Sequence, residues 1–143
     1  MQISARNRLW GKISQCHPGA VNAVVDIDLG NGDQLVAVVT MDSVRELQLA
    51  TDVEVVALIK APWVMLMTDA SNFQLSARNQ LPGTVESVEA GAVNSEVTLR
   101  LAGGAQITAI VTREAVAELG IAPGVQATAV IKASHIILGR KKT

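Results

Sequence analysis

Two copies of one tetrapeptide carry the groups best suited to chemistry. Ser4-Ala5-Arg6-Asn7 and Ser76-Ala77-Arg78-Asn79 each offer a hydroxyl, a guanidinium and a carboxamide within a single short stretch. The copies lie 72 positions apart, and Lys60 returns as Lys132 at the same offset. This set is rich in hydrogen-bond donors and has no acidic partner close by in the sequence. Donors without carboxylates suit an oxyanion better than a metal cation or a proton-transfer reaction.

The two halves can be compared with each other, position by position. Polar residues kept in both are Ser4/Ser76, Arg6/Arg78, Asn7/Asn79, Asn22/Asn94, Gln34/Gln106, Thr40/Thr112, Glu46/Glu118 and Lys60/Lys132. Cys16 faces Val88 in that alignment, His17 faces Glu89, and His135 faces Trp63. A Cys–His nucleophile pair would need Cys16 and His17, which are neighbours on a strand and so point to opposite faces. Cys16 reads as an ordinary small apolar residue, and the two histidines read as turn and strand surface residues. No pair of carboxylates recurs, so acid–base chemistry lacks its parts. Gly30-Asn31-Gly32 and Gly103-Gly104 are turn glycines with no Gly-Lys-Ser/Thr after them, so there is no phosphate-binding loop of the Walker type. A binding protein rather than an enzyme is expected.

An isolated Arg or Lys is usually a solvated surface charge. Lys60 departs from that expectation, because it closes the apolar run Val55 to Ile59 just before Ala61-Pro62-Trp63. Arg6 and Lys60 also both survive duplication while most other charges have drifted. Asn22 and Asn94 sit in Gly-Ala-Val-Asn turns, where asparagine commonly bonds to backbone.

These residues need strands to hold them. Leu9 to Ser14 reads as a strand ended by the Pro18-Gly19 turn. Ala20 to Leu29 follows, with Val21, Val25, Ile27 and Leu29 expected inside and Asp26 and Asp28 outside. Gly30-Asn31-Gly32-Asp33 is a hairpin turn. Leu35 to Val39 returns, with so little alternation that burial on both faces is expected. Thr40 then caps a short helix, with Asp42 in its first turn, Val44 and Leu47 on one face, and Leu49 closing it. Val53 to Lys60 and Trp63 to Met67 are the last strands of the half, separated by Ala61-Pro62. The second half repeats the plan, and Gly120 gives its helix the better C-terminal cap. Residues 1–72 and 73–143 are the two expected domains, closely tethered through Thr68 to Asn72. Each has about five strands and one small helix, the parts of an OB-like Greek-key barrel or of a plain meander sandwich.

Composition narrows the partners. A half of about 70 residues has a small core. The chain has one cysteine and two histidines, so neither a disulfide nor a metal cage supplements that core. Apolar residues reach 49% with only 2% aromatic, more aliphatic surface than two small cores require, and association with further copies is expected. A net charge of -1 gives no general attraction for nucleic acid or membrane. An OB-type nucleic-acid binder would need stacking aromatics and a basic groove, and only Trp10, Trp63 and Phe73 are on offer. A non-catalytic assembly module, with the cations paired to Glu46 and Glu118, is a further alternative. Val53 to Met67 is too short and too charged to span a bilayer, and the first residues hold no apolar signal core, so the cytoplasm is expected.

The ordered set of Ser-Ala-Arg-Asn, Gly-Ala-Val-Asn, Val-Thr before the helix and Lys-Ala-Pro-Trp resembles the molybdenum-pterin-binding (Mop) domain. Two in tandem resemble the molbindins, cytoplasmic molybdate-binding proteins. The resemblance implies an all-β chain of two tandem OB-like five-stranded Greek-key barrels, each with one short helix. It also implies a homotrimer that binds molybdate, and tungstate, between domains and subunits for storage or homeostasis. Carried over by position, the anion-binding set is Ser4, Arg6, Ser43, Lys60 and Ala61, then Ser76, Arg78, Lys132 and Ala133. Asn7, Asn79, Val21, Asn22, Val93 and Asn94 are weaker candidates. The second half departs from the pattern at Ala115, opposite Ser43, and at Ser134-His135, opposite Pro62-Trp63. The two halves are therefore expected to make unequal sites.

Overall fold

The computed structural model describes residues 1–142. The first half runs β1 (Asn7–Pro18), β2 (Asn22–Gly30), β3 (Asp33–Thr40), α1 (Met41–Leu47), β4 (Glu54–Ile59) and β5 (Met65–Met67). The second half runs β6 (Asn79–Ala90), β7 (Asn94–Leu101), β8 (Gln106–Thr112), α2 (Arg113–Leu119), β9 (Gln126–Ile131) and β10 (Ile137–Gly139). All strand pairs are antiparallel. They form two curled five-stranded sheets, ordered β10-β4-β1-β2-β3 and β5-β9-β6-β7-β8.

That order contains an exchange. The last strand of each half leaves its own sheet and completes the other. Met65, Leu66 and Met67 pair with Val130, Ala129 and Thr128, while Ile137, Leu138 and Gly139 pair with Leu58, Ala57 and Val56. The turn before each exchanged strand, Ala61–Trp63 or Ala133–His135, lies against the opposite half's third strand. Each sheet curls until its imported strand comes close to that third strand, which gives the OB-like barrel its closure. Instead of two domains side by side, the halves interlock. One continuous core follows, holding Ile13, Val25, Ile27, Val55 and Ile59 together with Val85, Val97, Leu99, Ile107 and Ile131.

Local details follow the sequence with some corrections. The first strand is longer than Leu9 to Ser14, because it continues through a bulge between Ile13 and Gln15 to reach Pro18. The inward face of β2 begins at Ala23, not at Val21. Gly19 N–H donates to the Asn22 carbonyl at 2.9 Å, and that tight turn leaves Val21 74% exposed. β3 is buried on one face only, at Leu35 and Ala37; Val36 and Val38 are half-covered because the other half reaches them only in part. Leu49 is buried but lies beyond α1, which ends where Gln48 turns left-handed at φ 52. Trp63 belongs to the 3-10 turn, so the exchanged strand starts two residues later. Both helices are capped as expected, Thr40 accepting from Ser43 N–H and Thr112 from Ala115 N–H, and Gly120 ends α2 at φ 66.

Candidate functional site

Each tetrapeptide loop enters a long strand, β1 or β6, and its backbone is held by the residue that follows it. Arg8 donates to the carbonyls of Ala5 and Ile3 at 3.1 and 3.0 Å. Gln80, at the same place in the second half, donates to Ala77 and Leu75 at 2.9 and 3.2 Å. These positioning residues were not visible in the half-to-half comparison, since an arginine and a glutamine share no label. Their shared signal is a long donor immediately after Asn.

The second-half loop opens on a cavity of about 360 Å³ lined by Ser76, Ala77, Arg78, Lys132, Ala133 and Ser134, with Val38 and Met65 from the first half. The strand exchange therefore brings four of the sequence candidates together and adds a wall from the opposite half. Ser76, Arg78 and Lys132 are exposed, while Ala133 is buried at the start of its 3-10 turn. Among the described residues, no carboxylate lies within ion-pair distance of Arg78 or Lys132. Two cations and two serine hydroxyls here face open solvent or an incoming anion.

The first-half loop differs. Arg6 donates through both terminal nitrogens to the Glu96 carboxylate on β7, one of the contacts being 2.9 Å. Lys60 is exposed beside its loop, and its ammonium stands 5.3 Å from the centre of the Trp63 ring. Trp63 in turn packs against His135, its own counterpart, with ring centres 4.9 Å apart. The two rings thus meet where the halves are related by a pseudo-two-fold. His135 is not a free surface residue as expected from sequence: its Nδ1 is buried without a partner.

The remaining candidates separate from these loops. Ser43 is half-buried in α1, its hydroxyl bonded to Thr40 Oγ1 at 2.9 Å. It lines a different cavity of about 220 Å³, shared with Val38 and Ile137. Val38 borders both that cavity and the Arg78 cavity, so the two adjoin along β3. Asn7 and Asn79 are buried and fully engaged. Asn7 donates to the carbonyls of Ile59 and Thr108 and accepts from Thr108 N–H; Asn79 does the same with Ile131 and Val36. Both of their amide protons are committed to carbonyls, which removes them as donors for a ligand. Val21, Asn22, Val93 and Asn94 lie exposed where the turns enter β2 and β7, and none of them lines the Arg78 cavity.

The geometry defines a strand-exchanged pair of OB-like barrels carrying two donor-rich loops that suit an anion. Residues 3–66 and 75–138 match the TOBE domain, and the chain belongs to that family as two tandem copies. The cytoplasmic molybdate-binding protein ModG, solved with molybdate bound, is 63% identical with a TM-score of 0.95, over 99% of this chain and 100% of that one. The molybdenum-pterin-binding protein MopA of Rhodobacter capsulatus is 46% identical over 96% of this chain and 52% of its own length. A probable molybdenum-pterin-binding protein of Haemophilus influenzae is 47% identical over 46% of this chain and 96% of its own length. The chain thus spans about half of the larger curated relative and about twice the smaller one.

Proposed function

We propose that this chain is a non-catalytic binder of molybdate, and of tungstate in the same sites, serving intracellular storage or homeostasis of molybdenum in the cytoplasm. The observation that carries the reading is the Ser76, Arg78, Lys132 and Ala133 cavity, whose two cations meet no carboxylate among the described residues. The similarity of the whole chain to a protein solved with molybdate bound supports the choice of anion. Molybdate is a tetrahedral dianion at neutral pH and has no proton to donate. A shell made only of donors satisfies it, whereas protonated phosphate would bring an O–H with nothing to accept it. Ser4, Arg6, Lys60 and Ala61 form the corresponding first-half set, and Ser43 supplies a further hydroxyl near the Val38 wall.

The cavity is open on one side and wider than one tetraoxo ion requires. Further copies of the chain, three in all, close it in this reading and give inter-subunit sites. The test is isothermal titration of molybdate into the wild type and into the double variant Arg6→Ala, Arg78→Ala. Removing one charged hydrogen-bonding partner per site is worth about 2 kcal/mol, so affinity is expected to fall by more than about tenfold while circular dichroism stays unchanged. Undiminished stoichiometry and affinity in the double variant would reject the assignment.

A further inference from the structure

The two donor loops are not equivalent, and one difference between them lies outside the loops. Arg6 is held through both terminal nitrogens by Glu96, with the carboxylate side chain 26% exposed and the guanidinium 54%. The residue 72 positions before Glu96 is Val24, so the position equivalent to Glu96 carries no carboxylate that could pair with Arg78. The cross-strand neighbours sharpen the contrast. Glu96 sits opposite Glu89 on β6, while Val24 sits opposite His17 on β1. His17 already has its own partner in Asp26 at 3.2 Å.

We propose that Glu96 is a built-in competitor for the first-half anion site, a carboxylate that occupies the Arg6 guanidinium until an oxyanion displaces it. This rests on the reading of the loops as molybdate sites and deepens it. Glu96 occupies the edge of the Arg6 guanidinium formed by its two terminal nitrogens, and its negative charge stands beside any anion that takes the remaining N–H groups. A tetraoxo dianion at the first-half loop either displaces Glu96 from that edge or binds against its charge, and neither cost arises at Arg78, which meets no carboxylate among the described residues. Releasing Glu96 also leaves it directly across from Glu89 with no cation between them, and like charges facing each other across strands are unfavourable. Both effects weaken the first-half site and leave the second-half site untouched. The chain therefore carries a tighter and a looser class of site. The second class fills only once free anion has risen, which extends the range over which a storage protein buffers.

The pair is partly exposed, so the competition is modest. Exposed ion pairs are worth up to about 1 kcal/mol, or roughly a two- to five-fold change in affinity. The test is isothermal titration of molybdate into the full-length wild type, Glu96→Gln and Val24→Glu. Wild type is expected to show two affinity classes. Glu96→Gln, which keeps the shape and removes the charge, is expected to tighten the looser class by roughly two- to five-fold and leave the other unchanged. Val24→Glu installs the competitor opposite Arg78 and is expected to loosen the tighter class by a similar factor. Weaker binding in Glu96→Gln would mean that Glu96 helps hold the ligand, and overturns the proposal. So would a wild type that binds molybdate with both variants leaving every class unmoved. Absence of any heat with the wild type would instead remove the molybdate reading itself, and this inference with it.

Discussion

At the scale of single residues, the tetrapeptide divides its labour between ligand and fold. Arg6 and Arg78 point outward, while Asn7 and Asn79, one position on, are buried and stitch the halves together. Each carboxamide bonds both to its own half, at Ile59 or Ile131, and across to the opposite half, at Thr108 or Val36. Cutting a side chain back to methyl would strand a buried N–H and two carbonyls. Asn79→Ala is therefore expected to lose about 2–4 kcal/mol of unfolding free energy, since each stranded buried group costs about 1–3 kcal/mol and water recovers part of it. Denaturant titration checks this, and a loss below about 0.5 kcal/mol would show that the bonds contribute little. The donor set itself was legible in the sequence because type and spacing repeat. The role of Asn was not, because a carboxamide beside Arg is equally consistent with ligand and backbone partners. Arg6 with Glu96 was invisible for a different reason: the partners lie 90 residues apart and the second half keeps no copy of the pair.

At the scale of elements, local chemistry was readable and strand partnership was not. The Gly30–Gly32 turn, with all three residues at positive φ, the Thr40 and Thr112 caps and the Gly120 stop are local devices and stand where the pattern put them. The exchange of β5 and β10 has no local signature. Met65 to Met67 and Ile137 to Gly139 occupy equivalent places in the repeat, so pairing at home and pairing across satisfy the same alternation. The hairpin tips add a second link near the pseudo-two-fold. Buried Asp33 accepts from Gly103 N–H and Ala105 N–H at 2.8 and 3.0 Å, and a side chain at Gly103 would meet the Asn31 carbonyl oxygen at 2.6 Å. Exchange leaves each half without a fifth strand of its own. Residues 1–72 alone are expected to form a two-copy species, each lending Met65–Met67 to the other's open β4 edge, because an unpaired strand edge recruits a partner. The relative from Haemophilus influenzae that matches less than half of this chain is consistent with one repeat standing as a protein. Light scattering that returned a stable folded monomer would show that the strand can pair at home.

At the scale of the molecule, the apolar excess of the composition is placed on the outside and placed twice. Val21 and Val93 are 74% and 72% exposed at equivalent turns, and Met65 and Ile137 are exposed at equivalent exchanged strands. Single exposed apolar residues are ordinary on any surface. A large valine held out by a fixed turn in both halves is a different case. The Val21 carbonyl accepts from Met41 N–H at 2.8 Å and the Val93 carbonyl from Arg113 N–H at 3.0 Å, so each turn is fastened to the start of a helix. A rigid apolar knob loses little freedom when covered, which favours burial against another copy. We propose that these knobs lie at the subunit contacts of the three-chain assembly. Val21→Asp combined with Val93→Asp would place a carboxylate at every such contact, where an unpaired buried charge is strongly unfavourable. The double variant is expected to run near the mass of one 15.0 kDa chain in light scattering while the wild type runs near three. The barrels should survive, since neither valine touches the core, and circular dichroism checks that separately. The number of molybdate ions bound per chain should fall with the mass, because a cavity open on one side in the single chain loses its remaining wall. A double variant that keeps the wild-type mass would place the subunit contact elsewhere, and one that loses mass but binds the full complement of anion would place the sites within a single chain.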